Sequence, residues 1–339
     1  MLNQFNKLYQ GSSLSETESR DVFAEIFKGR LNEAQLSSLV TALKIKGENQ
    51  DEIAGAALAM LDAAEKFPRP QIKIGEIVGT GGDCLNTINI STLSAIIASC
   101  LGLYIAKHGN RAVSSKTGAS DLLKALGYNL NLSPDLSASL LLKEGFAFMF
   151  AQTYHKAMKF AAPVRQSLQT RTIFNLLGPL TNPAHPDYEL LGVYDKELLP
   201  LMAKTLYKTG IKRALCVNGN GMDEIAPFGI THYAELKEDG TVITGFMTKE
   251  TFGITDEYTQ EDLKGGSPED NATIALNILQ GKGTAAQNAA IAVNTSALLY
   301  LANRVSSFKE GYDMALAAIK SGIGIKKLYR LRSYYNEEK

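Results

Sequence analysis

The feature that most restricts this chain is the break at Phe67-Pro68-Arg69-Pro70. Before it, apolar residues recur at helical spacing; after it, they fall into short runs closed by glycine-rich turns. Two prolines in three residues favour extended backbone and remove two amide donors, so a helix cannot run through them. The chain changes architecture here, and the prolines read as a linker.

Upstream, Ser15 with Glu18, Asn32 with Gln35 and Asn49 with Glu52 each place a capping side chain three residues before an acid or amide. Behind the caps, Val22, Phe23, Ile26 and Phe27, then Leu36, Leu39, Val40 and Leu43, then Ile53, Ala57, Met60 and Leu61 each form one apolar face. The reading is a small bundle of three short helices over residues 1–68.

Downstream, a strand-like run over 72–78 ends in Gly79-Thr80-Gly81-Gly82-Asp83. Helices over 91–101 and 120–126, and one beginning at Ser133-Pro134, alternate with strands over 103–106 and 146–150. Strands over 190–194 and 214–218 flank a helix over 196–208, and those over 232–236 and 241–246 form a hairpin through Asp239-Gly240. From Asn271 the pattern is helical. Alternating strands and helices predict an α/β domain with a mostly parallel central sheet.

The 339 residues suit two such domains. With 35 Lys+Arg against 35 Asp+Glu, the chain lacks the cationic surplus of a nucleic-acid coat, although a local basic pocket is allowed. It has no apolar run of about 18 residues, and its first residues lack a signal-peptide apolar stretch. Cys84, Cys100 and Cys216 show no CxxC spacing, so a reduced, cytoplasmic setting is expected with neither membrane nor nucleic acid as partner.

Four motifs carry chemistry. The Gly79–Asp83 turn lets backbone amides approach an anion, and the Thr87-Ile88-Asn89-Ile90-Ser91-Thr92 stretch behind it opens a helix whose N-terminus favours phosphate. Lys107-His108-Gly109-Asn110-Arg111-Ala112-Val113-Ser114-Ser115-Lys116 follows a strand end, where open α/β sheets bind ligands. Asp223-Glu224 follows a glycine-rich loop and offers hard oxygen donors for Mg²⁺; the competing reading is an acid-decorated helix start. Arg165 precedes Arg171-Thr172-Ile173-Phe174-Asn175-Leu176-Leu177-Gly178-Pro179, and an arginine can hold a carboxylate bidentately. Taken singly, the last two motifs favour the bland readings of helix start and surface ion pair.

In this order and spacing the motifs resemble the anthranilate phosphoribosyltransferase family over nearly the whole chain. The resemblance implies transfer of phosphoribose from phosphoribosyl pyrophosphate (PRPP) to anthranilate in tryptophan biosynthesis, with two Mg²⁺ ions per subunit. It implies PRPP contacts from Gly79, Gly82, Asp83, Thr87, Asn89, Ile90, Ser91, Thr92, Lys107, His108, Gly109, Asn110, Arg111, Ala112, Val113, Ser114, Ser115 and Ala119. Anthranilate would meet Gly79, Asn110 and Arg165, with His108 and Pro179 more loosely, and Ser91, Asp223 and Glu224 would serve the metal. No acid–base residue is implied; Lys107 and Arg165 would act by position and charge. The family fold adds residues 162–183 to the helical domain, leaves 71–161 and 184–339 as the α/β domain, and puts the active site in the cleft between them. Members are homodimers. Cys84, Ile88, Lys156 and Ala119 depart from the commoner family pattern. A pyrimidine nucleoside phosphorylase, or a non-catalytic nucleic-acid-binding relative, is the alternative; the Lys107–Arg111 and Arg171–Asn175 stretches and the charge balance argue against both.

Overall fold

The computed structural model describes residues 2–111 and 116–334. Four helices come first: α1 (Leu2–Tyr9), α2 (Glu16–Phe27), α3 (Glu33–Lys46) and α4 (Gln50–Asp62). All three expected N-caps form complete capping boxes, at Ser15, Asn32 and Asn49. The sequence reading did not include α1, which buries only Phe5 and Leu8 and is too short to show a periodic face.

After the prolines come β1 (Ile74–Gly79), α5 (Ile90–Cys100), β2 (Tyr104–Gly109), α6 (Ala119–Ala125), α7 (Pro134–Glu144) and β3 (Phe146–Phe150). Three short helices follow, α8 (Ala151–Tyr154), α9 (Ala162–Leu168) and α10 (Phe174–Leu177). Then come β4 (Tyr188–Gly192), α11 (Leu199–Thr209), β5 (Arg213–Gly219), β6 (Thr231–Leu236) and β7 (Val242–Met247). The chain closes with α12 (Pro268–Leu279), α13 (Ala285–Leu301), α14 (Phe308–Lys320) and α15 (Ile323–Ser333).

The strands form one seven-stranded sheet, ordered β3-β2-β1-β4-β5-β6-β7. β1 to β5 are mutually parallel and β6 and β7 antiparallel, so the mostly parallel sheet and its hairpin are both present. β1 pairs with β4 as far as Gly79 opposite Gly192. With β2 it pairs only at Ile74 opposite Tyr104 and Gly75 opposite Ile105, so these two strands part toward their carboxyl ends.

One face of the sheet, including Ile77, Ile105, Leu190 and Leu215, packs in a single core with residues of α5, α12, α13, α14 and α15. The other presents Val78, Leu191, Val193 and Cys216 to a second core, which takes in Phe23, Leu39 and Ile53 of the bundle and Val164, Ile173, Phe174 and Leu177. The Phe23 and Phe174 rings meet edge-on at 5.9 Å. Burying such rings contributes about 2–3 kcal/mol each, which fastens the 162–180 segment to the bundle. Among the described residues no helix is long and apolar enough to cross a membrane.

Candidate active site

Three neighbouring strands end in glycine at the carboxyl edge: β1 at Gly79, β4 at Gly192 and β5 at Gly219. The turn carrying Asp223 and Glu224 lies across these ends. A Cβ on Gly79 would collide with the Asp223 carboxylate, one on Gly192 with the Asp223 carbonyl, and one on Gly219 with the Glu224 carbonyl. Gly79 is thus required by the acidic turn, whatever ligand it meets. Asp223 and Glu224 lie outside any helix, so the reading as an acid-decorated helix start does not hold.

The glycine loop is fastened on several sides. Thr80 donates its amide to Gly192 O at 2.9 Å, and Thr80 Oγ1 accepts from the Tyr194 amide at 3.1 Å. Gly81 donates its amide to Asp223 Oδ2 at 2.7 Å, so a carboxylate occupies part of the anion nest. Arg171 donates to Gly82 O, and its guanidinium stacks 3.9 Å from the centre of the Tyr194 ring. The Leu85 amide donates to Asp83 Oδ1 at 3.2 Å. Gly81 and Gly82 have φ of +68° and +83°, where a side chain would be strained. Cys84 also has positive φ, +62°, a backbone conformation that favours glycine, and its side chain is exposed.

At the start of α5, the Ser91 amide donates to Glu224 Oε1 at 3.2 Å. Lys107, which the sequence placed in a polar loop, is instead a buried residue of β2. It donates to Ile77 O at 2.8 Å and to Ser91 Oγ at 3.2 Å. Burial pulls its affinity for a proton down, while Glu224, Glu76 and Asp223 pull it up. Burial and the neighbouring Asp83 push Asp223 up to about 7; burial and Asp223 push Glu224 up to about 8. This acidic cluster is therefore short of positive charge.

Asn89 donates to Thr117 O and accepts from Asn271, so its side chain ties the start of α5 to the Thr117 loop and to α12. Thr87 pairs in an isolated bridge with Lys264. Ile90 and Thr92 are buried in the first turn of α5, and the Thr92 hydroxyl has no hydrogen-bond partner among the described residues. Asn110 and Arg111 are exposed beyond β2, and Ala119 packs beside Gly109. The expectations for Ala112, Val113, Ser114 and Ser115 lie outside the described residues. The Ile88 side chain is buried, and Lys156 pairs with Glu65 at 2.9 Å, so neither departure alters a proposed ligand contact.

Above β2, His108 Nδ1 lies 3.1 Å from Gly178 O, beside the buried Pro179. The His108 and His155 rings meet edge-on at 5.0 Å. Burial, and then His155, push His108 down to about 3; burial pushes His155 down to about 4. Both rings are neutral at physiological pH. Unfolded histidine titrates near 6.5, so below that pH the unfolded chain takes up a proton that folded His155 refuses. His155 therefore lends stability above about 6.5, and it is lost as pH falls through about 4. His155→Phe is expected to gain on the wild type by about 2 kcal/mol between pH 7.5 and 5, read from urea midpoints at both pH values; a constant difference would contradict the assignment.

Arg165 of α9 lies 5.8 Å from the centre of the Phe174 ring, and burial lowers its affinity for a proton. No acidic side chain pairs with it among the described residues. The surface-ion-pair reading fails, and a desolvated guanidinium is left for an incoming anion.

Residues 5–64 match the glycosyl transferase family helical bundle domain, and residues 72–325 match its a/b domain. The anthranilate phosphoribosyltransferase of Tolumonas auensis is 46% identical, with 98% of each chain covered. That of Vibrio cholerae is 49% identical over 94% of this chain and 95% of its own. The chain belongs to the anthranilate phosphoribosyltransferase family.

It is accordingly an enzyme, a pentosyltransferase. The crystal structure of the family member from Thermus thermophilus superposes with a TM-score of 0.92 at 37% identity, covering 98% of this chain and 99% of that one. The Saccharomyces cerevisiae enzyme in complex with PRPP and Mg gives 0.89 at 31% identity, covering 99% and 98%. The same enzyme in complex with 4-fluoroanthranilate gives 0.88 at 30%, with the same coverage.

The sequence reading gave no role to Gly192, Gly219 or Asn271, and placed Arg171 in a motif without foreseeing its bond to the glycine loop. The two glycines left a signal, since three apolar runs each end in glycine. The partners of Arg171 and Asn271 left none, because they lie about 90 and 180 residues away.

Proposed function

We infer that the chain transfers the phosphoribosyl group of PRPP to the amine of anthranilate, giving N-(5-phosphoribosyl)anthranilate and pyrophosphate in L-tryptophan biosynthesis. One observation carries this reading. The glycine loop, the α5 start, Lys107 and the Asp223–Glu224 turn meet at one sheet edge, while the crossing segment supplies an arginine with no acidic partner.

Gly79, Gly82, Asp83, Thr87, Asn89, Ser91, Lys107 and the loop to Ser115 form the phosphoribosyl side. Arg165, Asn110, Gly79, His108 and Pro179 form the anthranilate side. The cleft lies between a helical domain, 1–68 joined by 162–183, and an α/β domain of 71–161 and 184–339. Closure about Pro68 and Pro70 and the second crossing would exclude water.

The donor set fits Mg²⁺. Asp223, Glu224 and the Ser91 hydroxyl are hard oxygen donors, and the buried acids lack positive charge. Among the described residues no three acidic, histidine or cysteine side chains converge to hold a cation alone. That suits ions shared with diphosphate oxygens, as Mg²⁺ commonly is, and two per subunit would match the diphosphate charge. When bound, Mg²⁺ supplies charge stabilisation on the leaving group.

The chain's own residues then do three things. Loop amides and Lys107 hold phosphate oxygens where charge grows as the C1–O bond stretches. Arg165 fixes the anthranilate carboxylate and so aims the amine at C1. Neutral His108 and His155 wall that side without offering a competing cation. No general base is needed, because the amine proton turns acidic as C–N forms.

Leu2 and Ile45, 82% and 81% exposed on the bundle, support a homodimer through that domain. Three free cysteines support a cytoplasmic setting. The test is anthranilate fluorescence, which falls when protein, Mg²⁺ and PRPP are combined. Unchanged fluorescence with salt-sensitive DNA binding would reverse the reading in favour of a nucleic-acid-binding relative.

A further inference from the structure

Beyond Gly75 and Ile105, β1 and β2 stop pairing, and three backbone groups at the gap are bonded by side chains instead. The His108 amide donates to Glu76 Oε1 at 2.9 Å, Lys107 Nζ donates to Ile77 O at 2.8 Å, and Asn182 Nδ2 donates to Ala106 O at 2.7 Å. The two strands thus exchange a carboxylate and an ammonium where a ladder would exchange a carbonyl and an amide. Glu76 is fully buried, an expensive place for an acid that served packing alone.

Its neighbour provides a built-in contrast. Glu189 sits in register beside Glu76 on β4 and is equally buried, and each acid has one oxygen without a hydrogen-bond partner, Glu189 Oε1 and Glu76 Oε2, but only Glu76 accepts a described bond from β2. Burial, and then Glu76, keep Glu189 protonated well above the usual carboxylate range. Among the described hydrogen bonds none joins it to Lys107 or His108.

We propose that Glu76 is a positioning residue for the reaction: its carboxylate anchors the His108 amide in the β1–β2 gap and so sets the path of Lys107 to Asn110 into the cleft. The proposal rests on the phosphoribosyl-transfer reading above, and wild-type turnover of anthranilate tests that reading separately. Removing the anchor lets His108 and Asn110 drift, so the arylamine side suffers most.

The test measures both KM values, kcat and Tm for Glu76→Leu, Glu76→Gln and Glu189→Leu. In Glu76→Leu the anthranilate KM is expected to rise at least fivefold with a smaller change in kcat. Glu76→Gln, whose amide oxygen can still accept from His108, returns it to within about threefold of wild type, and Glu189→Leu leaves all three constants within twofold. Wild-type kinetics in Glu76→Leu, or the same anthranilate defect in Glu189→Leu, overturns the proposal. Should Glu76→Leu fail to fold, Glu76→Asp replaces it, because a carboxylate one methylene shorter cannot span the gap. A raised anthranilate KM at a Tm within a few degrees of wild type then supports the anchor, and unchanged constants refute it.

Discussion

Arg165→Ala is expected to raise the KM for anthranilate about 10- to 100-fold while the KM for PRPP changes little. A hydrogen bond to a charged group is worth about 1.5–3 kcal/mol, and every 1.4 kcal/mol is a factor of ten. Arg165 is desolvated, stacked on Phe174 and without an acidic partner, so its cost is already met in the free enzyme. Arg165→Lys should recover only part of the loss, since an ammonium cannot form the flat double contact. Steady-state kinetics with each substrate varied in turn checks the split. A large PRPP defect with anthranilate unaffected would move Arg165 to the other half of the site.

Asp223→Asn is expected to act in opposite directions on activity and stability. Removing a charge that organises the leaving-group side should lower kcat/KM for PRPP by about 10²–10³, the range seen when one transition-state contact is deleted. The ligand-free protein should become more stable. Burial and Asp83 raise Asp223 from 3.8 to about 7. A group raised in this way favours folding at pH values below its unfolded value, and that contribution is lost as pH rises through about 7. At pH 8 the wild type therefore carries a buried charge that asparagine does not, at a cost of a few kcal/mol, and the Tm gain should shrink toward pH 6. Differential scanning calorimetry without Mg²⁺ at both pH values reads this. A fall in Tm at pH 8 would show that the carboxylate's bond to Gly81 outweighs its burial.

Local chemistry explains what could be read in advance. Ser15, Asn32 and Asn49 advertise their helices because a capping box lies within four residues. The strands and hairpin were legible because short apolar runs and the Asp239-Gly240 turn are equally short-range. Lys107 was misplaced because hydrophobic patterning treats a charge as a loop signal, whereas here Ile77 O, Ser91 and the acidic neighbours compensate its burial. The bonds of Arg171 and Asn271 were invisible because they depend on partners brought in by the fold. Glu76 and Glu189 drew no reading from the sequence, although a buried acid beside apolar residues is rare unless it is compensated.

The three strand-ending glycines constrain variation through the acidic turn packed on them. Gly192 carries no side chain and stands in for no ligand group, yet even alanine there would drive the Asp223 backbone off the sheet edge. A mutational scan scored by growth without tryptophan should show Gly192 as intolerant as Asp223, with Gly219 close behind. In engineering terms the sheet edge is a fixed socket. Libraries meant to change the acceptor amine belong on the crossing segment around Arg165, and every position spent on these glycines is lost.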